Sequence, residues 1–191
     1  MTEEKTILDA CCGSRMFWYD KINPLVLFSD IREEEHTLCD GRLLEIKPDV
    51  IADFRNLPFD DGQFKLVVFD PPHLEKLGKS SYMHKKYSSL GLDWRNDIRE
   101  GFKECFRVLA KDGILIFKWN ETQIKVKELL ALTDKEPLFG HLTGRSGKTM
   151  WLCFMKTEDI TEDFYCDREY LNCKRQCTWC KRENDEQLNK V

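Results

Sequence analysis

Three observations predict an α/β protein built on a mostly parallel seven-stranded sheet, with helices on both faces and an antiparallel strand pair at the end. Short apolar runs alternate with amphipathic helical patterns along most of the chain, as expected for a parallel sheet covered by its crossovers. Each of the first four apolar runs ends at or beside an acidic residue: Asp9, Asp30, Asp53 and Asp70. Two β-rich runs close the pattern, with a Gly-containing loop between them.

In order, residues 6–10 form a short apolar strand and residues 15–21 open a first helix. Residues 25–29 are a second strand and 49–52 a third, closed by Asp30 and Asp53 respectively. Residues 63–69 are the fourth, cut off by Pro71 and Pro72, which offer no N–H to a sheet. Ile98, Phe102, Cys105, Phe106 and Leu109 recur at helical spacing with charges between them. Lys111-Asp112-Gly113 then turns the chain, with Gly113 as the expected left-handed stop. Residues 114–119 read as a fully buried strand and 123–132 as an amphipathic helix. Residues 137–142 and 149–155 are the terminal antiparallel pair. Residues 74–96 are the one long irregular segment, and such loops usually carry function.

Composition narrows the function classes. The formal net charge of -4 argues against a protein whose whole surface grips phosphates, though not against a local basic groove. No run reaches the ~18 apolar residues of a membrane span. Residues 1–6 lack an apolar signal segment, so the expectation is a cytoplasmic protein off the membrane, monomeric by default. Cys11, Cys12, Cys39, Cys105 and Cys153 are scattered through the body and read as reduced thiols. Two domains are expected: 1–156, and a small Cys-rich extension over 157–191.

Ligands of an open parallel sheet bind beyond the carboxyl ends of its strands. There, Asp9-Ala10-Cys11-Cys12-Gly13 is short, small and poor in glycine, so it is not the pyrophosphate turn of a dinucleotide site. Asp9 suits a cationic amine, Asp30 the hydroxyls of a ribose, and Asp53 with Phe54 an adenine edge and face. A ligand with ribose, adenine and a cationic tail but no phosphate is described by S-adenosylmethionine. A nicotinamide cofactor is the weaker alternative.

The fourth strand end, Asp70-Pro71-Pro72-His73, is a rigid extended corner. The Asp70 carboxylate and the Pro71 carbonyl are acceptors at fixed spacing, suited to gripping an –NH₂ group. Most of the rate gain would come from orientation and preorganised dipoles. His73 would stack on the target ring or hydrogen-bond beside it.

Together these motifs resemble the Rossmann-like class I S-adenosylmethionine-dependent methyltransferases. Ile7 to Gly13, Leu27 to Asp30, Ala52 to Phe59, Phe64 to Pro72 and Phe106 to Gly113 are similar to the family's segments in order, over residues 6–156. The Asp-Pro-Pro corner resembles the group that methylates amino nitrogens, mostly on nucleic-acid bases, with His73 in the place of an aromatic residue. The resemblance implies N-methylation of an exocyclic amine, with adenine N6 in RNA or DNA the first expectation. A protein glutamine or a small-molecule amine is the alternative acceptor, and a non-catalytic partner subunit the non-enzymatic reading.

The segment leaving the corner carries Lys76, Lys79, Lys85, Lys86 and Arg95, with Tyr82, Tyr87 and Trp94 interspersed. Cations with stacking aromatics suit a single-stranded or flipped base. In the extension, Cys166, Cys173, Cys177 and Cys180 include one Cys-x-x-Cys pair, which predicts a structural zinc site. An iron–sulfur triplet, a disulfide and an unmetallated tail are the alternatives.

Overall fold

A computed structural model describes residues 4–75, 88–143 and 147–157. Its strands are β1 (Ile7–Asp9), β2 (Val26–Asp30), β3 (Glu34–Thr37), β4 (Leu43–Ile46), β5 (Val50–Ile51), β6 (Phe64–Phe69), β7 (Leu109–Asn120), β8 (Phe139–Thr143) and β9 (Thr149–Met155). Its helices are α1 (Trp94–Val108) and α2 (Val126–Leu130).

Seven strands form one sheet in the order β5-β2-β1-β6-β7-β9-β8. The first five are parallel, and β9 runs antiparallel between β7 and β8. This is the mostly parallel sheet with a terminal antiparallel pair that the apolar pattern predicts, and helices flank it. The chain moves outward from β1 through β2 to β5, then returns to β6 on the other side of β1. That reversal opens a crevice beyond the carboxyl ends of β1 and β6.

Alternation along the strands divides the interior. Leu8, Val67, Phe69, Leu115, Phe117 and Trp119 join the α1 residues Trp94, Ile98, Phe102, Cys105 and Phe106 in the main core. Val26, Phe28 and Cys12 form a smaller cluster, against which Ile7 and Trp18 pack. Gly101 lets α1 approach the sheet. A Cβ there would lie 2.6 Å from Phe69 Cζ and 2.8 Å from Phe54 Cδ2. Gly101→Ala is therefore expected to destabilise the fold by about 1–3 kcal/mol, through overpacking, and to disturb Phe54. Denaturant melts of the variant would check this, and an unchanged midpoint would contradict it.

Three local expectations are corrected. Residues 15–21 form turns and not a helix. Arg15 sits at φ 54, and its guanidinium donates to the carbonyls of Lys21 (2.6 Å) and Lys47 (2.7 Å), which ties the segment into a compact crossover. The left-handed residue of this stretch is Asp112 (φ 60), within β7, not Gly113. Gly113 is required for a different reason, because a Cβ there would meet the Ala110 carbonyl oxygen at 2.8 Å. Finally, β3 and β4 pair as a separate hairpin that was not anticipated. Its Asp40-Gly41 turn, with Gly41 at φ 81, was its readable signal. Among the described residues, no helix is long and apolar enough to cross a membrane.

Candidate active site

The crevice is walled by the turn after β1, the ends of β2 and β6, and Lys118 on β7. Ala10, Cys11, Cys12, Gly13, Asp30, Phe54, Asp70, Pro71, Pro72 and His73 all line one cavity, with Ser14, Met16, Phe17, Ile31, Arg32, Ala52, Ser88 and Lys118. Backbone bonds fix the first turn. Ala10 N–H donates to the Val68 carbonyl (3.0 Å) and Cys12 N–H to the Ser29 carbonyl (2.8 Å). Gly13 has φ 48, and a Cβ there would point into open space, so the chain passes the cavity without a side chain. Its N–H donates to Asp30 Oδ2 at 2.9 Å. Asp30 Oδ1 accepts from Arg32 N–H (3.0 Å) and Nε (3.3 Å). Three of its roughly four lone-pair sites are therefore engaged, which leaves about one, on Oδ2. Burial pushes the Cys11 and Cys12 thiols well up from their ordinary value, so neither is a ready nucleophile.

Asp9 and Asp53 are placed differently. Asp9 is fully buried and does not line the cavity. Its Oδ2 accepts from Trp18 Nε1 (2.7 Å) and its Oδ1 from Cys11 N–H (3.3 Å), so it staples the crossover to β1. Asp53 accepts from Arg55 N–H and Nε (2.9 Å each) and from Nη2 (2.5 Å), and Arg55 also reaches Asp97 at 2.8 Å. It anchors the segment that presents Phe54, and itself stays outside the cavity that Ala52 and Phe54 line.

Burial raises the Asp9 carboxyl from 3.8 to about 7, although Trp18 and Cys11 pull it down. Between those two values the folded protein holds a proton that the unfolded chain has released. The resulting stability is full below about pH 4 and is lost as pH rises through 7, at most ~1.4 kcal/mol per unit. Asp49, Asp53 and Glu104 are shifted downward, so their contribution fails only at more acid pH. Unfolding free energy should therefore fall between about pH 5 and 7 and level off above, and Asp9→Asn should flatten that slope. An identical slope in the variant would contradict the assignment.

The catalytic corner holds a residue the sequence reading passed over. The β6–β7 register pairs Phe69 with Phe117, which places Asp70 next to Lys118. Lys118 Nζ forms an ion pair with Asp70 Oδ2. The ammonium lies 5.5 Å from the Phe17 ring centroid and 5.7 Å from that of Trp151. Asp70 Oδ1 is buried and has no hydrogen-bond partner. His73 packs edge-on to Trp119, with ring centroids 5.9 Å apart. Burial pushes the His73 imidazole below its ordinary value; Asp70 opposes that push and Lys118 adds to it. Lys118 was legible as the lone charge in the apolar run 114–119, at an alternate position of the strand.

Of the basic, aromatic segment, Trp94 and Arg95 are described. Trp94 is 3% exposed and belongs to the core, so its ring offers no face to a base. Arg95 lies over the Trp94 ring (4.2 Å) and pairs with Glu128 (3.1 Å). Lys76, Lys79, Tyr82, Lys85, Lys86 and Tyr87 lie outside the described residues, as do Cys166, Cys173, Cys177 and Cys180. Among the described residues, no group of three or more His, Cys, Asp or Glu is placed to hold a metal ion.

No protein-family model and no curated protein matches the sequence. Solved structures do match the fold. The PH0226 protein of Pyrococcus horikoshii superposes with a TM-score of 0.52 at 16% identity, over 82% of this chain and 84% of that one. A TehB-like SAM-dependent methyltransferase from Corynebacterium glutamicum superposes at 0.50 and 16% identity, over 81% of each chain. At such identities the likeness is one of architecture, and it agrees with the strand order and the strand-end crevice: the chain has the class I S-adenosylmethionine-dependent methyltransferase fold.

Proposed function

We propose that the protein is an S-adenosylmethionine-dependent N-methyltransferase acting on an –NH₂ group. The observation that carries this reading is Asp70 Oδ1, a buried carboxylate oxygen with no partner, held at the strand-end corner of this fold. A buried acceptor without a donor costs about 1–3 kcal/mol, and a bound N–H removes that cost.

The residues fit the cofactor. Asp30 offers its remaining acceptor site to a ribose hydroxyl, and the Phe54 ring offers a face to adenine. The bare backbone at Gly13 permits close approach. Its N–H is engaged by Asp30 and not free for a phosphate, which fits a cofactor without one. When bound, S-adenosylmethionine would supply an electrophilic sulfonium methyl group to the acceptor nitrogen's lone pair, with the thioether as the leaving group.

The chain's residues orient the acceptor. Asp70 Oδ1 accepts one N–H, and the Pro71 carbonyl is the second acceptor of the rigid corner. Gripping both hydrogens favours a tetrahedral nitrogen whose lone pair points away from the protein oxygens. Asp70 Oδ1 then receives the proton the nitrogen releases and passes it to water. No separate strong base is required, since the nitrogen becomes acidic only as the new bond forms.

Adenine N6 in RNA or DNA is one such amine. The reading favoured over it is a small-molecule amine or a side-chain amide, because the Trp94 ring is buried in the core and offers no stacking face, and the exposed Arg95 is paired with Glu128. Incubation with methyl-labelled S-adenosylmethionine and separated RNA, DNA, protein and small-molecule fractions tests this. Label is expected in the small-molecule or protein fraction. Label confined to nucleic acid would replace the acceptor assignment, and label in no fraction would contradict the activity.

A further inference from the structure

We propose that Lys118 is a specificity-determining residue: by pairing with Asp70 it makes the acceptor corner electrically neutral, so the site takes uncharged –NH₂ groups and turns away alkylammonium ions. This rests on the N-methyltransferase reading and names the acceptor class within it.

Three observations converge on Lys118. It pairs with Asp70 Oδ2 and leaves the buried Oδ1 without a partner. It is held there by register on β7 and by the Phe17 and Trp151 rings beside its ammonium, not by a flexible reach from the surface. It also forms part of the wall between two cavities. One is the strand-end crevice, and the other is a neighbouring space of about 330 Å³ lined by His73, Leu74, Trp119, Asn120, Thr122 and Thr149.

The charge inventory follows from these contacts. Asp70 and Lys118 cancel, and burial keeps the His73 imidazole uncharged near neutral pH. Asp70 without Lys118 would be a bare carboxylate and would attract cations. With Lys118 in place, an incoming ammonium meets a like charge at close range. An alkylammonium also has no lone pair until it loses a proton near pH 10. An aromatic amine or a carboxamide has neither problem.

The second cavity has a polar rim. Asn120 Nδ2 donates to Thr149 Oγ1 (3.0 Å), while Asn120 Oδ1 accepts from Thr122 N–H (3.0 Å) and Oγ1 (2.5 Å). This hydrogen-bonded rim holds the Asn120 amide in place, with its second N–H still available as a donor.

Benzamide and benzylammonium, similar in shape and different in charge, test the proposal. Their affinities are measured by ligand-observed NMR on the full chain, with and without S-adenosylhomocysteine. Wild type, Lys118→Gln and Lys118→Arg are compared. Wild type should prefer benzamide, and Lys118→Arg should keep that preference. Lys118→Gln retains a hydrogen bond to Asp70 without the charge, and should bind benzylammonium about tenfold more tightly than wild type. Unchanged benzylammonium affinity in Lys118→Gln would overturn the proposal. So would a wild-type preference for benzylammonium, which is read without any variant. S-adenosylhomocysteine binding is scored separately. Its failure in wild type counts against the methyltransferase reading, whereas intact binding with unaltered charge preference counts against Lys118 alone.

Discussion

Asp70→Asn should reduce methyl transfer by about 100- to 1000-fold, the usual effect of removing one preorganised polar group from a reacting centre, while S-adenosylmethionine affinity stays near wild type. The substitution is nearly isosteric. However, the amide would turn its oxygen toward Lys118, so its N–H₂ would face the acceptor. Two donors would then oppose each other where Asp70 Oδ1 now waits for one. Lys118 would also lose its counter-charge, so some loss of stability is expected. Single-turnover methyl transfer beside a cofactor titration separates the two effects. Wild-type turnover in the variant would remove Asp70 from the chemistry.

Asp30→Ala should weaken cofactor binding by about 10- to 100-fold, in line with the roughly 1.5–3 kcal/mol of a hydrogen bond to a charged group. Two losses combine. A ribose hydroxyl loses its acceptor, and the Gly13 N–H, held by Asp30 at 2.9 Å, is released so that the first turn can move. Asp53→Ala is the informative control. Its carboxylate is engaged by Arg55 and stands outside the cavity, so its effect on affinity should be the smaller. Calorimetry on both variants checks the ranking, and a larger loss from Asp53→Ala would contradict the assigned adenosine pocket.

The two substitutions probe features with different visibility in the sequence. Asp30 and Asp70 were legible because each follows an apolar run that could only be a buried strand, and strand ends in such sheets face one crevice. The parallel direction of the first strands and the antiparallel closing pair were legible from the same pattern. Asp9 looked equivalent, yet it faces inward to Trp18. Strand position alone does not say whether a carboxylate at the edge points into the crevice or beneath it. The crossover over residues 15–21 misled for a related reason. It was expected to open a helix, but Trp18 is drawn to Asp9 and Arg15 to two carbonyls, contacts made across the fold. Lys118 was overlooked because a single lysine in an apolar strand reads as an edge charge until register sets it beside Asp70. Trp94 shows the reverse error, since an aromatic residue in a basic segment was read as a stacking platform when it is the first core residue of α1.

The most direct test of the account is isothermal titration of the full chain with S-adenosylmethionine and with S-adenosylhomocysteine. The strand-end crevice predicts one site per chain for each ligand, weakened by Asp30→Ala and unaffected by Asp70→Asn. Absence of binding heat for both ligands at millimolar concentration would contradict it.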